Sequence, residues 1–199
     1  MKEKLLISFS GGRTSAYMTK LILDRYSDKF DIKVLFANTG KEREETYQFT
    51  KLCDENFGFP TVWLEAIINP ESGKGVQAKE VDFYSAERDG KIFEEMIKKF
   101  GIPNLMFMHC TRVLKTQTME AYLRSIGWKK YYRAIGIRSD EMDRVNAKWK
   151  KQRIVYPLIS WIPTTKLDVN EFWLKQSFDL QLKSYEGNWT SVGKNHRES

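Results

Sequence analysis

Near the N-terminus, Ser8-Phe9-Ser10-Gly11-Gly12-Arg13-Thr14-Ser15 carries the residue types and spacing of an anion-binding loop. Glycines let a backbone turn tightly and approach a ligand closely. Backbone N–H groups at the start of a following helix would point at an anion, with the helix dipole favouring negative charge. Ser10, Thr14 and Ser15 add hydroxyl donors. The chemistry that fits is phosphate binding, although Ser-Gly-Gly also serves ordinary strand-to-helix turns. The stretch is neither a Gly-Lys-Ser/Thr phosphate loop nor a GxGxxG fingerprint.

The flanking residues predict elements able to position such a loop. Lys4-Leu5-Leu6-Ile7 is an apolar run suited to a buried strand, and Tyr17, Met18, Leu21 and Ile22 form one face of a helix over Ala16–Arg25. Ile32–Ala37 reads as a second buried strand ending at Asn38-Thr39-Gly40, and Glu44–Phe57 as a helix closed by Gly58. Thr61–Glu65 reads as a third strand. This β-α-β-α-β order predicts an α/β fold, a doubly wound, mostly parallel sheet with helices on both faces. Ligands of such sheets bind at the carboxyl edge of the strands, which would bring Asn38–Gly40 beside the phosphate loop. Ile67–Lys91 is expected to be loop-rich, a candidate lid, followed by a helix over Phe93–Phe100 that Gly101-Ile102-Pro103 stops. A helix after Thr118 would turn Met119, Tyr122, Leu123 and Ile126 inward and end at Gly127. Lys129–Ile135 reads as a strand whose exit, Gly136, delivers Arg138 to the same edge. Thr165-x-x-Asp168 is a capping box ahead of a helix over Val169–Gln176, with Phe172 and Trp173 on its apolar side.

Ser10-Gly11-Gly12-Arg13-Thr14-Ser15 resembles the SGGxDS loop of the PP-loop ATP pyrophosphatases, the adenine nucleotide alpha hydrolases. Thr14 replaces the acidic residue of that pattern, so a hydroxyl donor stands where a charged acceptor would be. Asn38-Thr39-Gly40 with Glu45-Thr46, Cys110-Thr111-Arg112-x-x-Lys115, and Gly136-Ile137-Arg138-Ser139-Asp140-Glu141 are similar to segments of the phosphoadenosine phosphosulfate (PAPS) reductase branch. The resemblance covers most of the chain. It implies that Ser8, Ser10–Ser15 and Asn38–Gly40 bind an adenine nucleotide, with Arg112, Lys115 and Arg138 as catalytic residues near the polyphosphate. It further implies cleavage of ATP between the α- and β-phosphates, with Mg²⁺ on the phosphates. An acceptor that the residues do not identify would be adenylated, and pyrophosphate released. The alternatives are a PAPS reductase or sulfotransferase-type enzyme, or a nucleotide-sensing or nucleic-acid-binding protein without turnover.

The tail departs from the pattern. Where relatives often read Gly-Asn-Cys-x-x-Cys, this chain has Gly187-Asn188-Trp189 and Val192, and its only cysteines are Cys53 and Cys110. A thiolate site needs about four ligands, so neither an iron–sulfur cluster nor a protein-held metal is expected. No cysteine after Cys110 is present to attack a sulfonyl sulfur as a PAPS reductase requires.

Composition sets wider limits. With 199 residues, 41% apolar and 30% charged, the expectation is one domain over 1–199 with a helical or irregular tail from about 164. No run approaches the ~20 apolar residues of a membrane span, two cysteines make no disulfide framework, and a cytoplasmic location is expected. The net charge of +7 suits a polyanion and equally serves solubility. Lys148-Trp149-Lys150-Lys151-Gln152-Arg153 interleaves cations with an aromatic, a pattern that can grip phosphate and stack on a base, or simply face solvent.

Overall fold

A computed structural model describes residues 2–71, 73–102, 110–182 and 187–188. Six strands form one sheet, in the order β4-β3-β2-β1-β5-β6. Strands β1 (Glu3–Phe9), β2 (Phe30–Asn38), β3 (Thr61–Ile68), β5 (Tyr132–Ala134) and β6 (Ile154–Val155) run parallel, and β4 (Val76–Val81) is antiparallel at one edge. The expected mostly parallel α/β sheet is therefore present.

Central strands are buried on both faces, which explains their continuous apolar runs. Along β1 and β2, Leu5, Ile7, Phe9, Val34 and Phe36 face one layer, made by helices α1 (Arg13–Tyr26), α2 (Glu44–Phe57) and α6 (Lys166–Leu174). Leu6, Leu35 and Ala37 face the other, where α4 (Thr118–Ser125) packs. A neighbouring cluster joins the ends of β3 and β4 to α3 (Lys91–Phe100) and to a π-helical segment, Cys110–Gln117. Helix α5 (Pro157–Ser160) is a single turn after β6. Among the described residues, no helix is long and apolar enough to cross a membrane.

Three expectations need correction. Ile67–Lys91 contains β4, whose Gln77, Lys79 and Glu80 leave no apolar run; a charged, half-exposed strand is a common form of sheet edge. Lys129–Ile135 shortens to the three residues of β5. Ile126 is 40% exposed because α4 ends one residue earlier, where Gly127 adopts φ 78°. Trp128 folds back instead, its N–H donating to the Leu123 carbonyl (2.8 Å) and its ring buried beside Leu123. The stretch Asn104–Cys110 and the tail positions Trp189 and Val192 lie outside the described residues, apart from the backbone of Cys110.

Candidate functional site

The chain leaves β1 at Phe9 and enters α1 at Arg13 through Ser10, Gly11 and Gly12. Gly11 has φ 70°, and a Cβ there would lie 2.5 Å from Thr46 Cγ2 and 3.2 Å from the Phe36 ring. Both the turn and the close packing on α2 thus require glycine. Gly12, extended, is the N-cap residue of α1 and makes no side-chain cap; the first turn of the helix contains no acidic residue. Helix α2 differs, beginning with Glu44 and Glu45. The positive end of the α1 dipole is therefore left uncompensated at the cradle. Two hydroxyls shape the loop from within. Ser15 Oγ donates to the Gly12 carbonyl (2.9 Å) and lies 2.9 Å from Ser10 Oγ.

Other residues of the motif point elsewhere. Ser8 sits within β1 and its hydroxyl donates to Met119 Sδ (3.7 Å) on the α4 side. The Arg13 guanidinium pairs with Asp179 (3.1 Å), and its carbonyl accepts from Trp173 Nε1 (3.1 Å), which ties α6 to the cradle.

The strand order changes direction at β1, where the chain has built β2 and β3 on one side and β5 on the other. Ligands bind at such switch points. At this crevice, Gly136, just after β5, lies so close to the first turn of α1 that a Cβ would be 3.2 Å from Ser15 Cα. Arg138 then reaches the cradle, its Nη1 donating to Thr14 Oγ1 (3.2 Å). Its Nε also binds Asp140 Oδ1 (2.8 Å), and Nη1 lies 3.2 Å from Glu141 Oε2. The Arg138 hydrogen bond holds the Asp140 carboxyl below its usual range. Arg138 is thus both at the expected edge and in an ion pair.

On the other flank, Asn38 is buried and its amide fully engaged. It donates to Glu65 Oε1 and the Glu87 carbonyl (both 2.8 Å) and accepts from Gly40 N (2.9 Å) and the Tyr47 hydroxyl (2.8 Å). It shapes a buried turn whose own N–H groups are taken up within it, Gly40 N by Asn38 and Lys41 N by the Thr39 hydroxyl (3.4 Å). Burial, with Glu42 nearby, pushes the Tyr47 phenol far up, so it stays a donor. Glu42, also buried, accepts from the Thr39 N–H (2.9 Å) and hydroxyl (2.8 Å), and pairs with Lys115 Nζ (3.2 Å). Lys115 therefore stands beside the Asn38–Gly40 turn, and Arg112 is exposed on the same π-helical segment. The supporting role of Glu42, Glu65 and Tyr47 was not anticipated. Glu65, a carboxylate inside an otherwise apolar strand, was the available signal.

Asn188 closes onto the loop from the far end of the chain. Its carbonyl accepts from Arg43 N (3.1 Å) and Thr46 Oγ1 (3.2 Å), and its amide lies 2.7 Å from where a Gly12 Cβ would be. Cys53 is fully buried in α2, where desolvation pushes its thiol up. Among the described residues, no group of three or more His, Cys, Asp or Glu could hold a metal ion.

A mostly parallel sheet with a glycine-rich strand-to-helix loop at its switch point is an α/β domain, and its superfamily is that of the adenine nucleotide alpha hydrolases. Within it, the chain belongs to the phosphoadenosine phosphosulfate reductase domain family, whose model matches residues 4–197. It is 34% identical over 187 residues to the uncharacterized nin region protein ORF290 of Escherichia phage lambda, covering 92% of this chain and 63% of that protein. An uncharacterized protein of Methanocaldococcus jannaschii is 26% identical over 162 residues, covering 77% of this chain and 32% of its own length. The chain thus spans less than two thirds of these relatives. A PAPS reductase from Candida auris, solved as a phosphate complex, aligns with TM-score 0.48 and 12% identity over 85% of this chain and 71% of that one.

Proposed function

We propose that the protein is an adenine-nucleotide-dependent enzyme that cleaves ATP at the α–β bond and adenylates an acceptor. The observation that carries this reading is the uncapped start of α1, with two glycines before it and Arg138 beside it. Its free N–H groups suit phosphate oxygens. An acceptor oxygen would attack the α-phosphorus as the bond to the bridging oxygen breaks, and pyrophosphate leaves with that electron pair. A nucleophile such as ammonia or sulfide could then displace AMP. The chain's own part is positioning and charge neutralisation. Arg138 offers a planar fork of donors, and the Asn38–Gly40 turn would hold the adenosine. Mg²⁺, bound mainly by the phosphates, would neutralise their charge.

Family membership supports a second reading, reductive cleavage of PAPS. One set of incubations separates the two. With α-labelled ATP, Mg²⁺ and candidate acceptors, AMP and pyrophosphate are expected. Sulfite and adenosine bisphosphate from PAPS plus a dithiol would favour the reductase. ADP with phosphate would overturn both, and binding without products would leave a nucleotide sensor.

A further inference from the structure

A second basic feature lies at the opposite end of the sheet. A cleft of about 480 Å³ opens where β1 and β5 begin. Its walls carry Lys2, Lys4, Lys129, Lys130 and Arg153 against one carboxylate, Glu3. Tyr131 and Tyr132, both partly buried, supply aromatic surface. The seven residues of β1, at about 3.3 Å each, put roughly 20 Å between this cleft and the cradle.

Backbone strain marks the same place. Arg153 has φ 52°, the sole positive φ of a non-glycine residue among those described. An arginine in the left-handed region is uncommon, and strain of this kind clusters at functional sites. The conformation ends a tight turn in which Arg153 N donates to the Lys150 carbonyl (3.2 Å). The Arg153 guanidinium lies over the Tyr132 ring, 5.7 Å from its centre, a flat cationic surface on the cleft wall.

The turn also makes the cleft continuous with the basic run. Lys148, Lys150 and Lys151 are exposed on it immediately before Arg153. Trp149, by contrast, packs on Ile137, Ile154 and Tyr156, with Lys150 Nζ 5.3 Å over its ring. The aromatic partner of the basic run is therefore Tyr132, under the Arg153 guanidinium, in place of Trp149.

We infer that this cleft and the adjoining turn bind single-stranded nucleic acid, separately from the nucleotide cradle. Cations along an extended path suit a chain of phosphates better than one phosphate. Aromatic and guanidinium planes recessed in a cleft suit unpaired bases, which a duplex keeps inside its stack.

The test is fluorescence anisotropy of the full chain with a labelled mixed-sequence 20-mer, as single-stranded RNA, single-stranded DNA and duplex, across a salt series. Single strands should bind at least ten-fold more tightly than duplex and than polyglutamate of equal length. Lys129→Ala/Lys130→Ala, two exposed positions, should weaken single-strand binding about ten-fold and flatten the log–log salt slope by roughly 1.4. Its melting temperature should match the parent. Gly12→Asp, which fills the cradle, should leave oligonucleotide binding unchanged. Equal binding of duplex or polyglutamate would reduce the site to general charge attraction and overturn the inference. So would unaltered binding by the double variant, or loss of binding in Gly12→Asp. These readouts do not depend on ATP turnover, so failure of the proposed activity leaves them intact.

Discussion

Arg138 already has partners at both ends of its guanidinium. Asp140 holds Nε, while Nη1 serves both Glu141 and, on the cradle side, Thr14. This arrangement fixes the planar fork before any nucleotide arrives, and a preorganised donor acts most strongly on charge that grows during reaction. Arg138→Ala should lower pyrophosphate release about 10²–10³-fold while weakening ATP binding far less. If the arginine served only the ion pairs, melting temperature would fall and the folded protein would turn over normally. Thermal melting, calorimetric ATP titration and pyrophosphate release on one variant distinguish these outcomes. Gly12 offers a second check, since Gly12→Asp sets a carboxylate at the anion site and crowds the Asn188 amide. Its ATP affinity should drop sharply, because like charges in one site repel.

Two helices support the site, and each contains a group whose contribution can be measured. In α2, burial raises the Asp54 carboxyl to about 6 although Trp63 Nε1 donates to it (3.1 Å). An unfolded aspartate titrates near 3.9, so the folded protein binds this proton more tightly. Its effect on stability therefore turns unfavourable as pH rises from about 4 to about 6, and is constant above. Asp54→Asn keeps an acceptor for Trp63 and should show a melting-temperature gain at pH 7.5 that shrinks or vanishes at pH 4. In α6, Thr165 and Asp168 form both halves of a capping box. Thr165→Ala should cost about 1 kcal/mol, seen as a drop of roughly 2–4 °C in melting temperature. The capping box and the bounds of α2 were legible because their signals are local: Thr165-x-x-Asp168, Glu44 and Gly58. Strand β4 was not, since a half-exposed edge strand needs few apolar residues, and its identity comes from pairing with β3. The same holds for β5, cut to three residues by neighbours far away in sequence.

At the scale of the whole molecule, the cradle and the approach of Arg138 could be read because both follow from strand–turn–helix order. The network of Glu42, Glu65 and Tyr47 around Asn38, and the contact of Asn188 with the loop, could not. Their partners meet only through the sheet order and through a segment 178 residues from Ser10. The same order has a consequence for synthesis. Leu5 pairs with Ile32 on one side of β1 and with Tyr132 on the other. At roughly 5–20 residues per second, about 5–20 s separate the emergence of those two partners from the ribosome. For that interval the central strand of the finished sheet is an edge, its backbone groups on the β5 side unpaired. The cradle loop, the first part of the site to be made, waits for Gly136 and Arg138 to complete it. A growing chain thus carries an unpaired strand edge beside a half-built cradle loop, and β5 closes both at once.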